Sequence, residues 1–215
     1  MHAVPELRRE RGTRLFLRAR LSKPLCTDRP SGNGPRKSGG VTLIELMTVL
    51  VVLGILASMA APSFLDMLQR NRVATRINAF VGDLQFARSE AIRQGIPVTV
   101  CASSDGRSCI GRATWNTGWI IFADPDSNGT RDEDGTAEQV LRVQAAWKGS
   151  DSFTASTGIG AITYGRDGLA IGLPASASAL LTLRTSPVND SATRCVQINF
   201  AGHQKVLRAN EGGCA

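Results

Sequence analysis

The chain has 215 residues, 42% of them hydrophobic, and 25 Lys and Arg against 18 Asp and Glu, for a formal charge of +7. That hydrophobic share excludes a wholly disordered chain, and 22 glycines without a Gly-X-Y period exclude collagen. The charge does not mark a basic nucleic-acid-binding domain either, because residues 1–40 carry the entire excess and residues 41–215 are balanced.

Residues 1–40 are rich in Arg and Lys, poor in apolar side chains, and end in the turn-forming run Ser31-Gly32-Asn33-Gly34-Pro35. They read as a disordered cytoplasmic leader. Residues 41–65 then switch to an almost wholly apolar run whose one charge is Glu45. As a helix this run reaches about 37 Å, enough to cross a hydrocarbon core of about 30 Å. The basic flank holds the amino end in the cytoplasm, so that the rest of the chain is exported. A secretory signal peptide is the competing reading, with Ser58-Met59-Ala60 as a small-x-small cleavage site that leaves Ala61 first. Glu45 argues against it, and equally against a passive anchor, since an ionisable group at that depth costs a few kcal/mol unless partnered.

Residues 66–95 continue the helix in amphipathic form. Val73, Ile77, Phe80, Val81, Leu84, Ala87 and Ala91 make an apolar stripe, and Arg70, Arg72, Arg76, Asp83, Arg88, Glu90 and Arg93 fall mostly opposite. Pro62 removes one backbone hydrogen bond and is expected to kink the helix, and Gly95-Ile96-Pro97 ends it. Residues 96–215 read as a β-rich domain, with strands expected over 98–102, 118–122, 139–144, 159–164, 179–184, 195–200 and 204–208. The fold class is therefore α+β, one long helix packed on an antiparallel β domain.

Cys101, Cys109, Cys195 and Cys214 form an even set downstream of the apolar run, with no C-x-x-C pair and with His203 the one histidine beyond position 2. Two disulfides in an oxidising compartment fit better than a zinc site. Of the three possible pairings, the local one, Cys101–Cys109 with Cys195–Cys214, is expected, contributing roughly 2.5 and 3 kcal/mol by loop closure. Asp124-Pro125-Asp126-Ser127-Asn128-Gly129 opens like an EF-hand loop, with Asp132 at the ninth place. Gly135 stands at the twelfth, where a bidentate Glu belongs, and an Asn128-Gly129 turn between strands explains the same residues without calcium. No metal and no cofactor are expected. The chain also lacks the G-x-S-x-G, H-E-x-x-H and P-loop patterns, so no catalytic residues are expected.

Gly40-Val41-Thr42-Leu43-Ile44-Glu45 resembles the processing motif of type IV pilins, with Val41 where Phe is usual. Ala87-Arg88-Ser89-Glu90-Ala91-Ile92, Val98-Thr99-Val100-Cys101 and Gly118-Trp119-Ile120-Ile121-Phe122 are similar to the GspH/FimT branch of minor pilins and pseudopilins. The resemblance implies that a prepilin peptidase cuts after Gly40 and N-methylates Val41. It implies a subunit anchored in the inner membrane with its domain in the periplasm, then built into a filament with other pilins by an inner-membrane assembly platform. Glu45 would attract the Val41 amine of the adjacent subunit. Type II secretion pseudopilus and type IV pilus both remain open, and the leader is long for this family, which leaves a start codon downstream of Met1 open too. Some FimT-like pilins bind DNA through a Gly-Arg-x-Arg motif, matched here by Gly202-His203-Gln204-Lys205. Arg194, Lys205 and Arg208 are the candidate contacts, opposed by Asp190 and Glu211; a solvated hairpin face is the favoured reading and DNA capture the alternative.

Overall fold

The computed structural model describes residues 40–132, 137–156, 158–173 and 178–214. The expected leader up to residue 39, and Gly135, lie outside the described residues. The chain divides into a unit of residues 1–43 and a unit of residues 44–215. Of the first, residues 40–43 are described and exposed.

Helix α1, Leu43–Gln94, has 52 residues, a length of about 78 Å at 1.5 Å per residue. Its two halves face different surroundings. Every residue from 44 to 65 is exposed, although almost all are apolar. In the second half, Val73, Ile77, Phe80, Leu84, Ala87 and Ala91 are fully buried, one stripe at 3.6-residue spacing. The helix is continuous through Pro62, although proline offers no N–H to the Ser58 carbonyl one turn earlier. Gly95 closes it in the left-handed region, φ 70°, donating its N–H to Ala91 O at 3.0 Å.

The strands among the described residues are β1 Val98–Ala102, β2 Gly118–Ala123, β3 Val140–Ala145, β4 Ser152–Ala155, β5 Ala161–Tyr164, β6 Ala170–Ile171, β7 Ser178–Arg184, β8 Arg194–Asn199 and β9 Gln204–Arg208. They form two antiparallel sheets, ordered β3-β2-β1-β5-β6 and β4-β7-β8-β9. The first is buried on both faces at its centre. Val98, Val100, Ala102, Trp119 and Ile121 join the α1 stripe, while Cys101, Ile120 and Phe122 make a second small core on the other side. In the second sheet β7 alternates buried and half-buried residues, the pattern of a strand with one covered face.

Phe80 is the centre of the main core. Its ring meets Trp115, Trp119 and Phe153 edge-on, with centroids 5.4, 5.1 and 4.9 Å away, a geometry that pairs ring edge with ring face. Disulfides join Cys101 to Cys109 and Cys195 to Cys214, with Cα atoms 5.6 and 5.7 Å apart.

Three features differ from the sequence expectations. The strands divide between two sheets, and β4 and β6 arise from short stretches without a β-branched run. The Asn128-Gly129 pair does not make a tight hairpin, since β2 and β3 are joined through the long connection 124–139. Asp83, expected on the outer face of the helix, is 7% exposed. It accepts from Trp119 Nε1 at 2.9 Å and Arg142 Nη1 at 2.8 Å, and two charge-assisted partners offset its desolvation.

Replacing Phe80 with Ala removes three edge-on contacts and opens a cavity between both sheets. The expected loss is about 3–5 kcal/mol, read as a lower denaturant midpoint of the full chain in detergent micelles.

Candidate functional site

Two regions carry the residues singled out in the sequence. The first is the amino end of α1. Gly40 and Val41 are exposed, and Glu45 sits on the first turn of the helix. Around and beyond Glu45 the helix presents apolar side chains on all sides, among them Ile44, Met47, Val51, Leu53, Ile55 and Phe64. A surface this apolar and this long finds a stable setting in lipid or against other apolar helices, and α1 is long and apolar enough to cross a membrane. Glu45 is the one ionisable group in that surface before Asp66.

What fixes the remaining half of α1 to the domain is polar as well as apolar. Asp151, nearly buried at the start of β4, takes Arg72 Nη2 at 2.9 Å, Arg76 Nη1, and the backbone N–H of Ser186 at 2.9 Å. The Arg76 guanidinium also lies 4.6 Å over the Trp147 ring. Nearer the apolar half, Asn189 Nδ2 donates to Asp66 at 2.5 Å and to Gln69 at 2.8 Å. The Asn189 bond, helped by Arg70, holds the Asp66 carboxyl below its usual range. Further along, Arg88 donates to Gly202 O at 3.2 Å, tying the helix to the turn between β8 and β9. Spacing alone places Arg72, Arg76 and Arg88 opposite the apolar stripe and shows none of these contacts, because the partners across them lie 75 to 123 positions away.

The second region is the β8–β9 hairpin. Arg194 stands opposite Arg208, and Gln197 opposite Lys205. Because side chains alternate along a strand, Arg194 and Arg208 share the face of Val196 and Ile198, whereas Lys205 shares the opposite face with Cys195 and Leu207. The Cys195–Cys214 disulfide packs with Leu207 on that second face. Arg194 is half-buried and spends its Nη1 on Ser191 O and Thr193 O, at 3.0 and 2.7 Å. Burial first, then Arg208 and Arg70, lower its pKa. The three expected cations therefore do not form one patch.

A third grouping was only partly visible in the sequence. Asp124, Asp126 and Glu138 each place a carboxylate oxygen within 4.8 Å of the others. Glu138 enters it from the strand-return side of the 124–139 connection, outside the EF-hand spacing that drew attention to the two aspartates.

Comparison with known proteins adds the following. A family model described as type II transport protein GspH matches residues 76–202, and one described as the prokaryotic N-terminal methylation motif matches residues 35–61. Among solved structures, the type IV minor pilin FimU of Pseudomonas aeruginosa is similar, with a TM-score of 0.50 and 17% identity over 66% of this chain and 92% of that one. The minor pseudopilin EpsH of the Vibrio cholerae type 2 secretion system also matches, with a TM-score of 0.40 and 15% identity over 65% of this chain and 98% of that one.

The split of Lys205 from Arg194 and Arg208 sets a ceiling on phosphate contacts by the hairpin. If duplex DNA binds there through Arg194 and Arg208, log affinity falls against log salt with a slope no steeper than about −2, from 0.9 per neutralised phosphate. Gel shifts of the full chain at several salt concentrations measure it.

Proposed function

The chain belongs to the GspH family, and we propose that it works as a minor subunit of a pilin-like filament whose assembly depends on Glu45. The observation that carries this reading is the division of α1: an apolar half with one carboxylate, and a half locked to a disulfide-bonded domain. Its family supports the minor pilin or pseudopilin role. The finer steps below are proposed on the sequence at Gly40-Val41 and on physical grounds.

Cleavage after Gly40 removes residues 1–40, and with them the whole positive excess. It also creates an amine on Val41, which N-methylation leaves protonated at neutral pH. While the subunit waits in the inner membrane, the apolar half of α1 is solvated by lipid tails. Moving it into a filament exchanges lipid for neighbouring helices of similar polarity, so the hydrophobic effect contributes little to that step. A carboxylate and an ammonium in the same low-dielectric region do contribute. Each alone costs a few kcal/mol to hold there, and bringing them together relieves both. Glu45, paired with the Val41 amine of the adjacent subunit, thereby favours incorporation and sets one axial register. The domain, held rigidly on the other half of α1, then projects into the periplasm. A prepilin peptidase and an inner-membrane platform are the partners this sequence of steps requires. Secretion pseudopilus and pilus share this chemistry.

Two measurements test the scheme. Mass spectrometry of the mature chain is expected to show N-methylated Val41 as the first residue; a chain beginning at Ala61 refutes the processing step. Glu45→Leu is expected to leave membrane insertion unchanged, by carbonate extraction, and to lower incorporation into filaments at least about tenfold, the equivalent of 1.4 kcal/mol or more.

A further inference from the structure

At the end of β2 the chain leaves the sheet at Asp124, and it returns to β3 past Glu138. Asp124 is fully buried, at 0% exposure. Its Oδ2 accepts from Thr99 Oγ1 at 2.6 Å and from the Gly129 N–H at 3.0 Å, while Oδ1 is buried with no hydrogen-bond partner. Glu138 is also buried and takes the Asp132 N–H on Oε2 at 2.5 Å. Asp126 lies on the exposed side, with its oxygens turned to the N–H and Nδ2 of Asn128 at 3.2 and 2.7 Å. Oxygens of all three carboxylates fall within 4.8 Å of one another.

This is a costly arrangement for the apoprotein. Among the described residues, none of the three carboxylates forms an ion pair with Lys or Arg. The adjacent Arg131 points its guanidinium at backbone carbonyls instead, Nε to Glu138 O and Nη1 to Arg107 O, at 3.1 and 2.9 Å. Burial raises the pKa of Asp124, and the Asp126 carboxylate beside it adds to the rise. Burial likewise raises Glu138, with Asp132, Asp124 and Asp126 pushing the same way. A buried carboxylate oxygen left without a donor is a desolvation cost that a cation removes.

We propose that Asp124, Asp126 and Glu138 form a calcium site that ties the 124–139 connection to the ends of β2 and β3. The donor set is all oxygen, which selects a hard cation. Calcium accepts irregular geometry at about 2.3–2.6 Å, so two of its ligands sit up to roughly 4.6–5.2 Å apart, whereas magnesium demands a near-ideal octahedron with ligands no more than about 4.2 Å apart. Three carboxylates that come from outside the regular strands, two buried and one exposed, make an irregular donor set that suits calcium's tolerance of geometry better than magnesium's octahedron. The site is not an EF hand. Gly135 occupies the twelfth place of that pattern, and Glu138, three residues further on and anchored next to β3, supplies the closing acid. Buried Asp124 is fixed by Thr99 and Gly129, and Thr99 Oγ1 is in turn 2.6 Å from Thr163 Oγ1 on β5. One ligand is therefore set by the sheet before the ion arrives, which lowers the entropy cost of binding. The site stands independently of the filament role.

The test uses the full chain in detergent micelles, with CaCl2 as the probe. Calorimetric titration is expected to show one calcium per chain, with MgCl2 at least about tenfold weaker. Weak extracellular calcium modules bind at about 0.1–1 mM, so titration to about 10 mM covers that range. The thermal midpoint is expected to be higher in saturating CaCl2 than in EDTA, by about 5 °C or more. Glu138→Gln should abolish that rise and, by removing one of three like charges, raise the midpoint in EDTA, an opposite pair of effects that a general loss of structure does not produce. Asp126→Asn, on the exposed side, should weaken calcium at least about tenfold. No binding up to that concentration overturns the proposal, as do equal affinity for magnesium and unchanged affinity in both variants. A midpoint that rises only as pH falls, without any response to calcium, shows a shared proton in place of the ion and overturns it too.

Discussion

One helix here has to satisfy two solvents, and the packing around Phe80 is what lets it. Among the described residues, the apolar half of α1 has nothing to pack against, and a surface of that kind is stabilised in lipid or against other apolar helices. That half gains little helical stability from the domain, whereas most helical stability in proteins comes from packing one face of the helix. The buried stripe from Val73 to Ala91 supplies the fixed end from which the helix extends. Phe80 sits where the two sheets and α1 meet, touching Trp115, Trp119 and Phe153, and Trp147 stacks on Phe153 and meets Trp119 edge-on. Three layers share one aromatic cluster, so the orientation of the helix and the pairing of both sheets are set together.

The polar contacts along α1 do a different job from that cluster. Exposed ion pairs contribute little to stability, and Arg70 with Asp66 is of that kind. Asp151 and Asp83 are not: both are nearly buried and both bind more than one donor from a distant part of the chain. Removing one partner leaves a buried charge uncompensated, which makes a slipped or rotated helix expensive. Apolar packing alone tolerates small rotations of a stripe; a carboxylate aligned with Trp119 Nε1 and Arg142 does not. The domain is thus held in one orientation on its helix, as a subunit needs when its helix is buried among others.

Much of this was legible in the sequence, and the reasons for the exceptions are physical. The helix stripe, the two exact strands 98–102 and 204–208, and the apolar run all carry their own periodicity or composition. β4 and β6 do not: Ser152–Ala155 becomes a strand because β7 and the aromatic cluster hold Phe153, a tertiary effect without a local signature. Asp83 was placed outside because a charge on a helix usually is; its burial depends on Trp119 and Arg142, far along the chain. Arg194, Lys205 and Arg208 look like one basic set in a linear reading, yet Lys205 and Arg208 differ by an odd number of positions on a strand and so leave opposite faces. Glu138 shows the converse. Only the folded connection brings it back to Asp124 and Asp126, and a fixed spacing rule does not anticipate that return.

The overall charge has the same lesson in another form. Residues 41–215 balance, yet the balance is not uniform. Burial lowers the Arg194 pKa and the nearby Arg208 and Arg70 lower it further, while Asp124, Asp126 and Asp132 lie near enough to Glu138 to raise its pKa. With a Debye length of about 8 Å at physiological ionic strength, a neighbouring molecule responds to each patch and not to their sum. A region neutral overall, such as residues 41–215, adds no long-range repulsion between copies as subunits pack side by side. Its segregated patches still distinguish one contacting surface from another. The positive excess lies apart from both patches, in residues 1–40, so the sum of charges over the whole chain describes neither of them.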